Sequence, residues 1–203
     1  MTTRCAARPE AVLFDCDGTL LLTADIHYEG MAAACAAQGC VMPRAWYMNV
    51  TGLGRKDTFA HFAAEFDLAL DHPRLVADSI ANTAAIADRT RINPAVAAFA
   101  QNLAGMLPIA VVTNSEAIIA HAFLRAANLH DLFNAIVTVE DAAHPKPDPA
   151  LYLAAAARLD VAIGKCVVLE DSVQGLAAAK AAGANCVDVR TQTWKNEIGC
   201  LFK

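Results

Sequence analysis

Short, largely β-branched apolar runs recur along the 203-residue chain at positions 11–14, 109–113, 135–139 and 166–169, with a weaker fifth at 185–189. Each is of strand length. Each is apolar at consecutive positions rather than alternate ones, the pattern of strands buried on both faces of a parallel sheet. Helical segments separate them. One opens at Asn93-Pro94 and runs to about residue 104, ahead of Gly105; the next runs from Ser115-Glu116 to about Asn128. A third starts at Asp148-Pro149, with proline at the first helical position, and a fourth runs from Ser172 to a stop at Gly183. This rhythm predicts an α/β fold, a doubly wound parallel sheet whose strands, counted in chain order, lie as 3-2-1-4-5.

The rhythm breaks between residues 23 and 89. That stretch holds no convincing strand, and its composition favours helices at about 27–38, 56–69 and 73–88. The reading is a helical subdomain at 23–89 inserted into a core formed by 1–22 and 90–203. No internal repeat or Gly/Ser linker interrupts either part.

Composition narrows the function classes. Hydrophobic residues make up 56% and charged residues 18%, so the chain buries a core. Its apolar share is inflated by alanine, which here reads as helix, and no apolar stretch is long enough to span a bilayer. Residues 1–10 have no apolar segment of the secretory kind, so no signal peptide is expected. A net charge of −5 without a basic run argues against nucleic acid or an anionic membrane as partner. Seven cysteines with no C-x-x-C pair read as reduced thiols in a cytoplasmic protein, with Cys16, Cys166 and Cys186 acting as small hydrophobes in strands. A monomer or weak homo-oligomer is expected.

Chemistry concentrates at the strand ends. The first strand ends in Asp15-Cys-Asp17-Gly18-Thr-Leu. Carboxylates at i and i+2 of an extended chain point to the same side, and two crowded acids repel unless a cation joins them. An acidic turn is the plain alternative. The fourth strand ends in Leu-Glu170-Asp171-Ser, a second acid pair. In the order 3-2-1-4-5, strands 1 and 4 are neighbours at the point where ligands bind such sheets. The two pairs therefore meet, and their oxygens suit Mg²⁺. The second strand ends in Thr113-Asn114-Ser115, either a helix N-terminal anion site or an ordinary N-cap. Lys146, between prolines in His-Pro-Lys-Pro-Asp-Pro, is either an aimed cation or a solvated charge. Together these groups supply what phosphoryl transfer needs: nucleophile, acid/base, metal, hydroxyl and cation.

In this order the four segments resemble the motifs of the haloacid dehalogenase superfamily, aspartyl-phosphate-forming hydrolases. The likeness covers essentially the whole chain and is nearest to the subgroup containing β-phosphoglucomutase and small sugar-phosphate phosphatases, where Leu-Glu-Asp-Ser-x-x-Gly and Lys-Pro-x-Pro recur. The resemblance implies that Asp15 is the nucleophile and Asp17 the acid and base. It implies that Thr113, the Asn114 amide, Gly18 and Lys146 hold the phosphoryl group. It places Mg²⁺ on Asp15, the Asp17 carbonyl and Asp171, with Glu170 direct or through water. It makes the 23–89 insertion a cap, with His27 and the loop Thr51-Gly-Leu-Gly-Arg55-Lys56 reading the substrate through Arg55 and Lys56.

The chain departs from the pattern in places. Leu22-Thr23-Ala24 stand where many relatives carry an acid. Glu116-Ala117 follow Ser115 where the mutase has Lys-Asn binding a second phosphate, so a negative charge is expected to face any such group. The chain ends near Lys203, so the last strand and helix are expected to be missing or rebuilt. The resulting expectation is a Mg²⁺-dependent phosphatase acting on a small phosphorylated metabolite. A phosphosugar mutase is the enzymatic rival, and a catalytically silent phosphate-binding or regulatory protein the rival of another class.

Overall fold

The computed structural model describes residues 8–202. Cys5 and the other residues before Arg8 lie outside them, as does Lys203, and with them most of the segment read above for a signal peptide.

Strand β1 (Ala11–Asp15) leads through a turn into the two-residue strand β2 (Leu21–Leu22). Four helices follow: α1 (Ala24–Ala37), α2 (Arg44–Asn49), α3 (Arg55–Glu65) and α4 (His72–Ala85). The chain returns through β3 (Arg91–Ile92) and then alternates. Its elements are α5 (Pro94–Leu103), β4 (Ile109–Val112), α6 (Ala117–Ala126), β5 (Ala135–Val137), α7 (Ala150–Arg158), β6 (Cys166–Glu170), α8 (Val173–Ala182), β7 (Asn185–Asp188) and α9 (Trp194–Leu201). The main sheet is parallel throughout, in the order β5-β4-β1-β6-β7. That is the expected 3-2-1-4-5.

The consecutive apolar residues of each strand serve two cores. On β1, Val12 and Phe14 pack with α5, α6 and α9 through Val96, Ile119, Phe123 and Ile198. Ala11 and Leu13 point the other way, to Leu151 and Tyr152 of α7 and Ala178 of α8. The helices between β2 and β3 have a core of their own, built on Phe59, Phe62, Met31 and Leu75. Where the chain enters and leaves that helical unit, β2 and β3 pair antiparallel, Leu21 opposite Ile92 and Leu22 opposite Arg91. Two-residue strands carry no periodicity to read, so neither was visible in the sequence. The same holds for α2, six residues long.

Several expectations change. After β7, α9 puts Trp194 and Ile198 into the core, and Phe99 packs edge-on against both Trp194 and Phe202. Cys186 is exposed, because β7 is an edge strand and the pleat turns Val187 inward instead. Cys16 and Cys166 are buried as expected, and all the described cysteines are free thiols. Helix α6 starts at Ala117, two residues late, with Glu116 rather than Asn114 or Ser115 at its N-cap. Pro149 likewise sits one residue before α7. Among the described residues, no helix is long and apolar enough to cross a membrane.

Candidate active site

The carboxyl ends of β1, β4 and β6 lie side by side, since Asp15 pairs in register with Val112 and Phe14 with Leu169. Lys146 reaches this junction from the loop before α7. Its Nζ donates to Asp15 Oδ1 at 2.7 Å, to Glu170 Oε1 at 2.7 Å and to the Val112 carbonyl at 2.8 Å, and it lies 4.8 Å above the Tyr152 ring. Only 5% of the residue is exposed, which removes the solvated-charge reading. Burial alone would lower its pKa, but Asp15, Tyr152 and Glu170 hold it well above the ordinary value. Asn114 fixes the loop that delivers it: Oδ1 accepts from Lys146 N at 2.8 Å and Nδ2 donates to Lys146 O at 3.2 Å.

Glu170 is fully buried and saturated. Oε1 accepts from Lys146 and from the Tyr152 hydroxyl, while Oε2 accepts from the Asp171 and Ser172 amides and the Ser172 hydroxyl. Burial opposes its charge, and Lys146 together with the Ser172 amide and hydroxyl more than offsets that, holding its carboxyl below the usual range. Asp171 shares no cation; burial and Glu170 push it up to about 6, against the pull of a 3.0 Å hydrogen bond from the Thr19 hydroxyl. Asp15 is raised well above the usual range by burial and by Glu170, with Lys146 pulling the other way. One oxygen each from Asp15, Glu170 and Asp171 lie within 4.8 Å of one another. Such a set, all hard oxygen donors and two of them reluctant to ionise, fits a divalent cation. Gly18, at φ +96°, turns the chain beside it, and a Cβ there would lie 2.2 Å from Asp171 Oδ2.

Asp17 faces the helical unit. Oδ1 accepts from the Thr23 hydroxyl at 2.7 Å and lies 2.9 Å from His27 Nε2; Oδ2 accepts from the Thr113 and Ser115 hydroxyls, both at 2.8 Å. Burial would raise this carboxyl, yet His27, Thr23 and Thr113 together hold it well below the usual range. Thr113 Oγ1 also accepts from the Ser115 amide. At the start of α6, Glu140 accepts from the Ala117 amide with both carboxylate oxygens.

Arg55 is 9% exposed and no solvated cation. Its Nε donates to both oxygens of Glu116 at 3.1 Å, Nη1 to Ser79 Oγ at 3.2 Å, and Nη2 to His27 Nδ1 at 3.3 Å. The negative charge expected at Glu116 is thus present and is met by Arg55. Lys56 is exposed and does not line the cleft, for the next residue along a helix points about 100° away. The other expected residues line a cleft of about 460 Å³ between the strand ends and the helices, except Glu170, which is fully buried. Tyr47, Asn49, Gln174 and Arg190 also line it; nothing in their local sequence marked them. Thr23, Ser79 and Tyr152 were missed as partners for the same reason. The hydroxyl of Ser115, considered only as a cap, is a ligand of Asp17.

Fold and site together define a doubly wound α/β protein with two acid pairs and a buried lysine at its topological switch point. The haloacid dehalogenase-like hydrolase profile matches residues 9–183, and the chain belongs to that family of hydrolases. It is 31% identical to the protein CbbY of Cereibacter sphaeroides over 192 residues, covering 88% of this chain and 83% of that one. To the fructose-1-phosphate phosphatase YqaB of Escherichia coli (strain K12) it is 44% identical over 86 residues, 42% of this chain and 46% of the relative. The crystal structure of CbbY from Rhodobacter sphaeroides in complex with phosphate superposes with a TM-score of 0.80 at 28% identity, covering 89% of this chain and 85% of the other.

Proposed function

We propose that the protein is a Mg²⁺-dependent phosphatase of small phosphorylated metabolites, acting through an aspartyl-phosphate at Asp15. The observation that carries this reading is the junction at the cleft floor, where a carboxylate nucleophile, a buried ammonium and a second carboxylate with its own donors converge. The names of the relatives, phosphatases of phosphorylated sugars among them, support it. In this division of labour residues 1–22 and 90–203 carry the chemistry, and residues 23–89 form a cap over it.

Asp15 attacks phosphorus and the bond to the ester oxygen breaks, while Lys146 offsets charge at the attacking carboxylate. The leaving oxygen takes a proton from Asp17. Water then adds to phosphorus, gives its proton to Asp17, and the phosphate departs with Asp15 restored. In the structure Asp17 is held as a carboxylate by four donors. A phosphoryl dianion arriving beside it raises its proton affinity, and gives the Thr113 and Ser115 hydroxyls a competing acceptor. Asp15, Asp171 and the Asp17 carbonyl would hold Mg²⁺, with Glu170, already saturated, contributing through water. When bound, the ion supplies the positive charge that keeps Asp15 and Asp171 ionised and offsets that of the phosphate. Free thiols fit a reducing, cytoplasmic setting.

The test is phosphate release from p-nitrophenyl phosphate and a panel of phosphorylated metabolites, with and without chelator, for the wild type and Asp15→Asn. Turnover that needs Mg²⁺ and vanishes in the variant is expected. Steady turnover by Asp15→Asn would refute covalent catalysis there, and undiminished turnover in chelator would refute the metal.

A further inference from the structure

Among the described residues, every lysine and arginine lining the cleft already has a carboxylate partner. Lys146 is held by Asp15 and Glu170, Arg190 by Asp188 and Arg55 by Glu116, while His27 accepts from Arg55 and faces Asp17. Lys146 serves the reacting group. Of the others, Arg55 is the guanidinium the helical unit aims into the cleft, and Glu116 meets it from the sheet side, at the N-cap of α6. The pair is well shielded, the side chains being 5% and 15% exposed, so neither charge is answered mainly by water. Three of the five N–H groups of Arg55 are spent on Glu116, Ser79 and His27, and the two that remain belong to a guanidinium whose charge is already balanced. Away from the groups gathered around Asp15, Asp17 and Asp171, the polar lining is neutral and includes Tyr47 and Asn49 from α2, Thr51 from the loop after it, and Gln174 from α8.

Building on the phosphatase reading, we infer that Glu116 sets the substrate class: phosphate monoesters whose ester substituent is uncharged and rich in hydroxyls, with bisphosphates and phosphorylated acids turned away. A second anion in the cleft has no unpaired cation to meet. It must either pull Arg55 off Glu116, leaving a shielded carboxylate unpaired, or lie beside that carboxylate at like charge. A hydroxyl needs neither, since it can accept from the spare Arg55 N–H groups and donate to Glu116 or Asn49. Specificity here comes from a repulsive element as much as from contacts.

The experiment uses pairs that differ in the distal charge: glycerol 3-phosphate against 3-phosphoglycerate, and fructose 1-phosphate against fructose 1,6-bisphosphate, with p-nitrophenyl phosphate as the generic ester. In the wild type, kcat/KM should favour the neutral member of each pair by about 10-fold or more, the discrimination expected of one unmet charge. Glu116→Gln, which keeps the shape and drops the charge, should shrink both ratios by about 10-fold. Equal or preferred turnover of the anionic members by the wild type overturns the inference, as do ratios unchanged in a folded Glu116→Gln. If that variant does not fold, the wild-type ratios alone decide. Hydrolysis of p-nitrophenyl phosphate alongside the wrong ratios sinks this inference and spares the phosphatase reading; no release from any ester sinks both.

Discussion

A Cβ at position 175 would lie 1.6 Å from Glu170 Oε1, nearer than any nonbonded atom can sit. The same oxygen receives Lys146 Nζ and the Tyr152 hydroxyl, so the bare Cα of Gly175 is what lets the buried carboxylate stand where it holds the lysine. Helix α8 begins two residues earlier, its Gly175 amide donating to the Ser172 hydroxyl, which itself donates to Glu170. Gly175→Ala must therefore push Glu170 or the first turn of α8 aside. Overpacking of this kind costs about 1–3 kcal/mol, and Lys146 would lose its second carboxylate. We expect a lower Tm together with a fall in kcat, measured on the same preparation. An alanine variant with wild-type kcat would show that Glu170 does not position Lys146.

Asp171 gives the site a pH dependence of definite sign. Its folded-state pKa is pushed up to about 6, above its unfolded value. The metal-free folded state therefore binds an extra proton below that point, and this group's contribution to stability declines as pH rises from the ordinary carboxylate range through about 6. A divalent cation must displace the proton. Its binding strengthens over the same window, and binding to the folded state alone raises Tm. The rise in Tm from saturating Mg²⁺ should accordingly be larger at about pH 7.5 than at about pH 5. A rise independent of pH, or greater in acid, would place the ion elsewhere.

Asp17 should reveal its role through the leaving group. Asp17→Asn keeps the side chain's outline, and its neighbouring hydroxyls can turn to accept, so the fold should survive. Loss of a positioned acid costs about 10²–10⁴-fold. An alkyl phosphate, whose alkoxide leaves poorly, should show the full loss in kcat. p-Nitrophenyl phosphate, whose phenolate leaves without a proton, should show less. Equal losses on the two esters would confine Asp17 to activating water, and near-normal turnover of the alkyl ester would remove it from the reaction.

Much of this was legible in the chain. Consecutive apolar residues such as Ala11 to Phe14 can satisfy two helical layers at once, which fixes a doubly wound sheet, and the strand order then brings Asp15 to Asp171 without further information. What stayed hidden was the contact set that depends on how the helices between β2 and β3 sit over the sheet. Thr23, at the N-cap position of α1, spends its hydroxyl on Asp17, and Arg55, expected to read the substrate, pairs with Glu116, sixty-one positions away. Neither partner can be found by local spacing. Lys56 shows the converse, since its charge beside Arg55 looked equivalent in the sequence, yet helical geometry turns it to solvent.

Asn114 carries the last expectation. By sequence it belongs to the phosphate-binding turn after β4, but its side chain is spent on the main chain of Lys146, accepting from N at 2.8 Å and donating to O at 3.2 Å. The two residues are thirty-two positions apart, so this clamp joins two loops and fixes where the lysine emerges. Asn114→Ala removes both hydrogen bonds and leaves a shielded N–H without a partner, at a cost of about 1–3 kcal/mol. In a chain of this size that is a fall of roughly 2–10 °C in Tm. Stability alone does not separate positioning from bulk structure, so a control is needed. Ile198→Val, on the core-facing side of α9 and not among the residues lining the cleft, should cost about 0.5–1.5 kcal/mol and leave kcat near the wild-type value. Asn114→Ala should instead lose about 10-fold or more in kcat at a temperature where both variants are fully folded, because a wandering Lys146 no longer offsets charge at Asp15. Parallel behaviour of the two variants would make the clamp a structural tie with no part in aligning the lysine.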